Sequence, residues 1–158
     1  MLSLGDVALR LIVAMILGGV IGLEREQHGR AAGLRTHILV CISSALIMMT
    51  SIEVARVYGQ SGTCDPSRIA AGVVMGIGFF GAGTIIRFKA TVRGLTTAAS
   101  LWTVAAIGLA TGVGFMTAAV VVTALVLVTL VFFSHVEKWM MKHNLYRIEG
   151  QKGGDSDA

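Results

Sequence analysis

The densest group of residues that could do chemistry lies between positions 24 and 37, where Glu24 and Glu26 flank Arg25 and are followed by His28, Arg30, Arg35 and His37. A carboxylate pair at a membrane mouth offers hard oxygen ligands, and Mg²⁺, which keeps several of its waters, is the cation such a pair would hold weakly. The interleaved arginines suggest another role, an ion-pair network that neutralises the same two acids. Both readings stand at this stage, with Glu24 and Glu26 as the candidate metal ligands. His28 and His37 are nine residues apart across a turn-like stretch, without HExxH or other ligand spacing, which argues against a transition metal. No nucleophile elbow, P-loop, dinucleotide fingerprint or kinase signature occurs, so the sequence supports neither an enzyme nor ATP hydrolysis and offers no cofactor motif.

A second group repeats part of the first. Gly33, Leu34, Arg35 and Thr36 follow one arginine-bearing connection, and Gly94, Leu95, Thr96 and Thr97 follow another that holds Arg87, Lys89 and Arg93. Each set opens a helix from the same side, as a parallel internal duplication would, and coincidence over so few matched letters is the other reading. Helix N-termini present free N–H groups and partial positive charge, which suits a phosphate or lipid headgroup beside the arginines. Topology alone would also place arginines there, so an orienting role and an anion site are both open.

These residues must be positioned by membrane helices. The chain of 158 residues is 54% hydrophobic and 14% charged, against about 25% charged in a soluble domain. Its five apolar runs are Leu4 to Leu23, Thr36 to Tyr58, Ser67 to Ile86, Leu95 to Ala110 and Phe115 to Ser134, near the length needed to cross the hydrocarbon core. Asp6 with Arg10, and Glu53 with Arg56, are expected to pair near the outer ends. Thr111 to Gly114 reads as a short turn, and Arg87 to Arg93 as a charged turn between spans three and four. His135 to Arg147 reads as an amphipathic continuation suited to an anionic leaflet, and Gly150 to Ala158 as a tail too polar to order. The domain division is therefore 1–136, a five-helix transmembrane domain, and 137–158, an amphipathic juxtamembrane segment and tail. The third span is dense in glycine. Gly72, Gly76 and Gly83 share one face while Gly78 and Gly81 form a second strip, which predicts either close helix packing or a thin-walled path. Cys41 and Cys64 form no disulfide framework, and Cys64 in the polar link could join two copies only in an oxidising compartment.

Ten of the thirteen Lys and Arg fall on one side if there are five spans, leaving Arg10, Arg56 and Arg68 toward the other. The positive-inside rule then predicts an all-α membrane protein with its N-terminus outside and its C-terminus cytoplasmic. The net charge of +4 lies at membrane edges and predicts lipid contact, not nucleic acid.

The ordered series Gly22, Glu24, Arg25, Glu26, then Gly33, Arg35, Thr36, His37, then Arg68, Gly76, Gly78, Gly81, Gly83, and finally Arg93, Gly94, Leu95, Thr96, Thr97, Ser100, Trp102 resembles the MgtC/SapB family of bacterial inner-membrane proteins over roughly residues 4–135. The resemblance implies a five-span protein of the cell inner membrane that supports adaptation to low magnesium and, in pathogens, intracellular survival. It implies a regulatory role in membrane potential and ATP homeostasis through membrane partners such as the F-type ATP synthase, with transport of magnesium or another small ion as the alternative. Family members commonly carry a C-terminal ACT-like domain, which is expected to be absent or removed here. Gly72 and Met75 stand where the family leads one to expect polar residues. Smooth glycine faces also make a homodimer an expectation.

Overall fold

The computed structural model describes residues 2–59, 65–89 and 91–153, with side chains described as far as 140 apart from 137 and 138. Its elements in chain order are α1 (Leu4–Gln27), α2 (Leu34–Tyr58), α3 (Ser67–Thr84), β1 (Ile86–Phe88), β2 (Thr91–Arg93), α4 (Leu95–Val113) and α5 (Met116–Gly153). All five helices are long and apolar enough to cross a membrane, the fifth through Met116–Val136. The chain divides into two compact units, Met1–Ala124 and Leu125–Ala158.

Within the first unit α2 is the helix on which α1 and α4 pack, and glycine sets how closely they approach. A Cβ on Gly18 of α1 would lie 2.7 Å from Cys41 Cβ, and one on Gly22 would lie 2.8 Å from Leu34 Cα. On α4, a Cβ at Gly108 would lie 2.7 Å from Ser44 Cβ, and one at Gly112 would lie 2.5 Å from the Ala45 carbonyl oxygen. Both pairs are spaced by four, so each puts two missing side chains on one face, and backbones meet where side chains would keep them apart. The order of these contacts makes α2 antiparallel to α1 and parallel to α4. Cys41, at the centre of this packing, is buried as a free thiol. Cys64 lies outside the described residues.

The glycine-dense α3 behaves differently from the tight-packing expectation. Only Ile77 and Gly81 are buried on it; Gly81 faces Ala98 of α4, whereas nothing lies within 4 Å of a Cβ added at Gly72, Gly76, Gly78 or Gly83. Ile77 joins Ala32, Leu101 and Ala105 in a small core with Val40 and Val73 packed against it. Past Thr84 the chain forms an antiparallel ribbon, Ile86 opposite Arg93 and Phe88 opposite Thr91, in place of a simple charged turn. Ile86, Phe88 and Val92 are strand-forming residues, and Lys89 takes the positive φ of 53° that tight hairpin turns require.

Three terminal details also depart from expectation. Asp6 is engaged in a capping box, its carboxylate accepting from Ser3 N–H at 3.1 Å while Ser3 Oγ accepts from Asp6 N–H at 3.1 Å. Arg10 donates to the Gly112 carbonyl at 2.6 Å instead of pairing with Asp6, placing a cation where the α4 dipole is negative. The helix α4 runs to Val113, three residues past Ala110, because Gly114 at φ 97° supplies the left-handed cap and donates to the Ala110 and Thr111 carbonyls. Glu53 and Arg56 pair as expected, at 2.5 and 3.0 Å. Outside the spans, the Ser67 N–H and hydroxyl bonded to Asp65 hold its carboxyl below the usual carboxylate value.

The first turns of α5 bury Ala119 and Thr123 in the first unit. In the second unit Leu125, Val128, Phe132 and Phe133 are exposed, and the two phenylalanine rings meet edge to face at 5.5 Å, as suits a lipid-facing surface. The helical backbone continues through His135 to Gly153, so 150–153 are helical where a tail was expected. The side chains that would make 141–147 amphipathic, and residues 154–158, lie outside the described residues.

Candidate functional site: a buried polar node at the arginine-rich end

The end of the bundle where α1 finishes and α2 and α4 begin collects most of the polar residues singled out above. Glu24 is 8% exposed and Arg25 2%, although both stand in the last turn of a membrane helix. Arg25 Nε lies 3.6 Å from Glu24 Oε2, too far for a hydrogen bond, and neither atom has a hydrogen-bond partner among the described residues. The two charges compensate each other without the directional bonding that makes a buried ion pair strongly favourable. The other Glu24 oxygen, Oε1, is 3.1 Å from His28 Nδ1, a nitrogen that also lies 2.8 Å from the Glu24 carbonyl.

Glu26 serves a separate purpose. The N-cap of α2 is Gly33, which has no side chain to cap with, and Glu26 Oε2 accepts from Leu34 N–H at 2.7 Å. The anion expected at this helix start is thus supplied by the chain itself, where the dipole favours it. The sequence duplicate at Gly94 uses another solution. That glycine sits at φ 91°, against the Thr84 carbonyl, whereas Gly33 is extended at φ −111°. The two carboxylates named as magnesium candidates therefore engage different partners, and no group of three or more His, Cys, Asp or Glu able to hold a metal occurs among the described residues.

His37 is wholly buried and joins α2 to α4. Its Nδ1 is 2.9 Å from the Gly33 carbonyl, which can only accept, so Nδ1 carries a hydrogen. Its Nε2 is 3.0 Å from Ser100 Oγ, and Ser100 Oγ is 2.8 Å from the Thr97 carbonyl. The Ser100 hydroxyl has one hydrogen and two acceptors in reach, the Thr97 carbonyl and Nε2 of the neutral ring. A serine–histidine contact has the reach of a nucleophile–base pair, but both residues lie inside the α2–α4 contact, and the bond fastens helices.

The remaining motif residues are dispersed. Arg35, Arg68, Arg93, Leu95 and Thr96 are exposed, as is Trp102 at 52%. Thr97 is buried beside Ser100, and Thr36 lines a groove between α2 and α3. Sequence reasoning singled out His37 and Ser100 separately without joining them. It also passed over the Gly108–Gly112 pair, whose four-residue spacing was a visible signal.

A family model described as the MgtC family matches residues 11–139. The chain is 48% identical over 98 residues to "Putative magnesium transporter YhiD" of Escherichia coli (strain K12), covering 58% of this chain and 43% of that protein. It is 46% identical over 91 residues to "Protein MgtC" of Salmonella typhimurium (strain LT2), covering 58% of this chain and 36% of that protein. An uncharacterised Haemophilus influenzae protein is 42% identical over 94 residues, covering 57% of this chain and 40% of that protein. The aligned region thus spans well under half the length of these relatives. No solved structure matches.

Proposed function

This chain belongs to the MgtC family, and on that premise we propose that it is a non-catalytic regulator in the bacterial inner membrane that supports growth in scarce magnesium, and intracellular survival in pathogens, through a membrane partner. One observation carries the reading: of the two carboxylates that a conducting site would use, Glu26 is engaged as a helix cap and Glu24 is buried against Arg25 and His28. A cation path needs such oxygens, or a carbonyl ring, free to exchange with the ion. The partner proposed is the F-type ATP synthase, with membrane potential and ATP homeostasis as the quantities regulated. Met75 and Phe79, one turn apart on α3 and 74% and 82% exposed, offer an apolar face to a neighbouring helix, and a second copy is the other candidate for it.

Transport of magnesium is the second reading, favoured by the name of the Escherichia coli relative. Reconstituted vesicles separate the two. Mg²⁺ uptake that disappears in Glu24→Gln overturns the regulatory reading. Absence of uptake, together with ATP synthase subunits retained on the affinity-purified chain, supports it.

A further inference from the structure

Between α2 and α3 lies a groove of about 540 Å³, walled by Thr36, Leu39, Val40, Ser43, Ser44 and Ile47 on one side and by α3 on the other. Val40, Val73 and Ile77 line it and pack toward Leu101 and Ala105 of α4, so its floor is protein. Gly72 and Gly76 are its α3 rim, and the groove exists because neither carries a side chain: a Cβ at either would meet nothing within 4 Å. We propose that this groove holds one acyl chain of an anionic phospholipid from the leaflet on the arginine-rich side, with its phosphate against Arg35.

Depth, closure and charge select this occupant. From Thr36 to Ile47 the α2 wall rises about 16 Å at 1.5 Å per residue, close to half of a hydrocarbon core of about 30 Å. The groove is about as long as one leaflet is thick, and along α3 it runs from Ile69 in the first turn to Phe80. Beyond Ile47 the two helices are tied together, because the Ser51 hydroxyl donates to the Pro66 carbonyl at the start of α3. A transmembrane helix from a partner or a second copy is about 10 Å or more across and spans both leaflets, so it would be stopped where an acyl chain ends naturally. The volume lies within the range of small-molecule sites, about 300–1,000 Å³, and the lining is overwhelmingly apolar. At the open end, Leu39 and Phe80 are 64% and 58% exposed. Arg35 stands one turn before Leu39 and is exposed, and the Thr36 hydroxyl beside it can donate to a phosphate or ester oxygen. An apolar slot entered past an exposed arginine matches a lipid with a negative head.

The experiment uses the full chain reconstituted into vesicles of phosphatidylethanolamine and phosphatidylglycerol, extracted in mild detergent, with retained lipid measured by native mass spectrometry. The expected result is a single phosphatidylglycerol per chain, enriched about fivefold over its share of the vesicle, the preference a single surface arginine confers. Gly76→Phe should fill the slot and abolish retention, and Gly72→Leu should reduce it, with the thermal unfolding profile checked for each. Met75→Phe, on the outer face of α3, should leave retention intact. Arg35→Gln should keep the lipid but lose the headgroup preference. Retention in proportion to vesicle composition, undiminished retention in a folded Gly76→Phe, or efficient Gly76→Cys cross-linking between copies in the membrane would each overturn the proposal.

Discussion

Replacing Gly108 by alanine should weaken the bundle, while the same replacement at Gly76 should not, and the difference between the two isolates the energy of close helix approach. A Cβ on Gly108 would lie 2.7 Å from Ser44 Cβ and 3.1 Å from the Cys41 carbonyl carbon, and closer still to the carbonyl oxygen. Ordinary contact between carbons is about 3.5–4.0 Å, so α2 and α4 must separate by roughly 1 Å, and the obstacle is backbone, which cannot swing aside. Overpacking of this kind costs about 1–3 kcal/mol. Alanine also gains up to about 1 kcal/mol over glycine in helix propensity, but that gain applies at both sites and cancels in the comparison. At Gly76 the new methyl meets nothing within 4 Å. Gly108→Ala should therefore unfold below Gly76→Ala by about 1–3 kcal/mol; at about 2–4 °C per kcal/mol for a chain of this size, the midpoints should separate by about 2–12 °C in detergent. Equal midpoints, or a lower one for Gly76→Ala, would refute the assignment of the tight interface to α2 and α4.

Ser100→Ala should cost about 1–3 kcal/mol by leaving His37 Nε2 buried without a partner, and a double-mutant cycle with His37→Ala should show a coupling of about 0.5–3 kcal/mol. Glu26→Ala should destabilise by about 0.5–2 kcal/mol, the value of a helix N-cap, with earlier proteolysis near Leu34, whereas Glu26→Gln should retain part of the bond. Gly94→Ala should lower the unfolding midpoint more than Gly33→Ala. Gly94 sits at a φ of 91°, where a Cβ costs roughly 1–2 kcal/mol in backbone strain, and it abuts the Thr84 carbonyl, whereas Gly33 is extended and a Cβ there displaces a side chain, the Glu26 carboxylate, at the expense of its bond to Leu34 N–H. Asp65 is ionised more readily in the fold than in the unfolded chain, so its contribution stands at neutral pH and is lost as pH falls through the depressed folded value; Asp65→Asn should flatten that acid limb in unfolding measurements.

The spans were legible because the bilayer demands about 20 apolar residues in a row; four of the five runs met that demand, and the fourth in order, cut short at Ala110 by an expected turn, gains its remaining length in the helix that runs to Val113. Ile86–Phe88 and Thr91–Arg93 are only three residues each, too short for an alternating pattern to register, so the ribbon read as a turn. Asp6 offered Arg10 a partner four residues away, and nothing local announced the Gly112 carbonyl, 102 residues distant. Glycine density pointed to α3, yet the backbones that touch belong to helices with fewer glycines spaced by four. Gly72 and Gly76 of α3 carry the same four-residue spacing and meet nothing within 4 Å, so spacing marks a face a helix could approach without naming the helix that does. The polar node was half visible: its members stood in the motif, but the pairing of His37 with Ser100 requires α2 and α4 to run side by side.

That parallel arrangement constrains how the chain could have been assembled. Two neighbouring helices pointing the same way cannot be joined by a tight loop, so the chain must travel back across the bilayer between them, and α3 makes that return. Its two buried residues show how little it must match its surroundings while doing so. Deleting it, or doubling it, would insert α4 upside down and carry Gly108 and Gly112 to the wrong depth to receive Cys41 and Ala45. The least embedded helix is therefore indispensable for its direction.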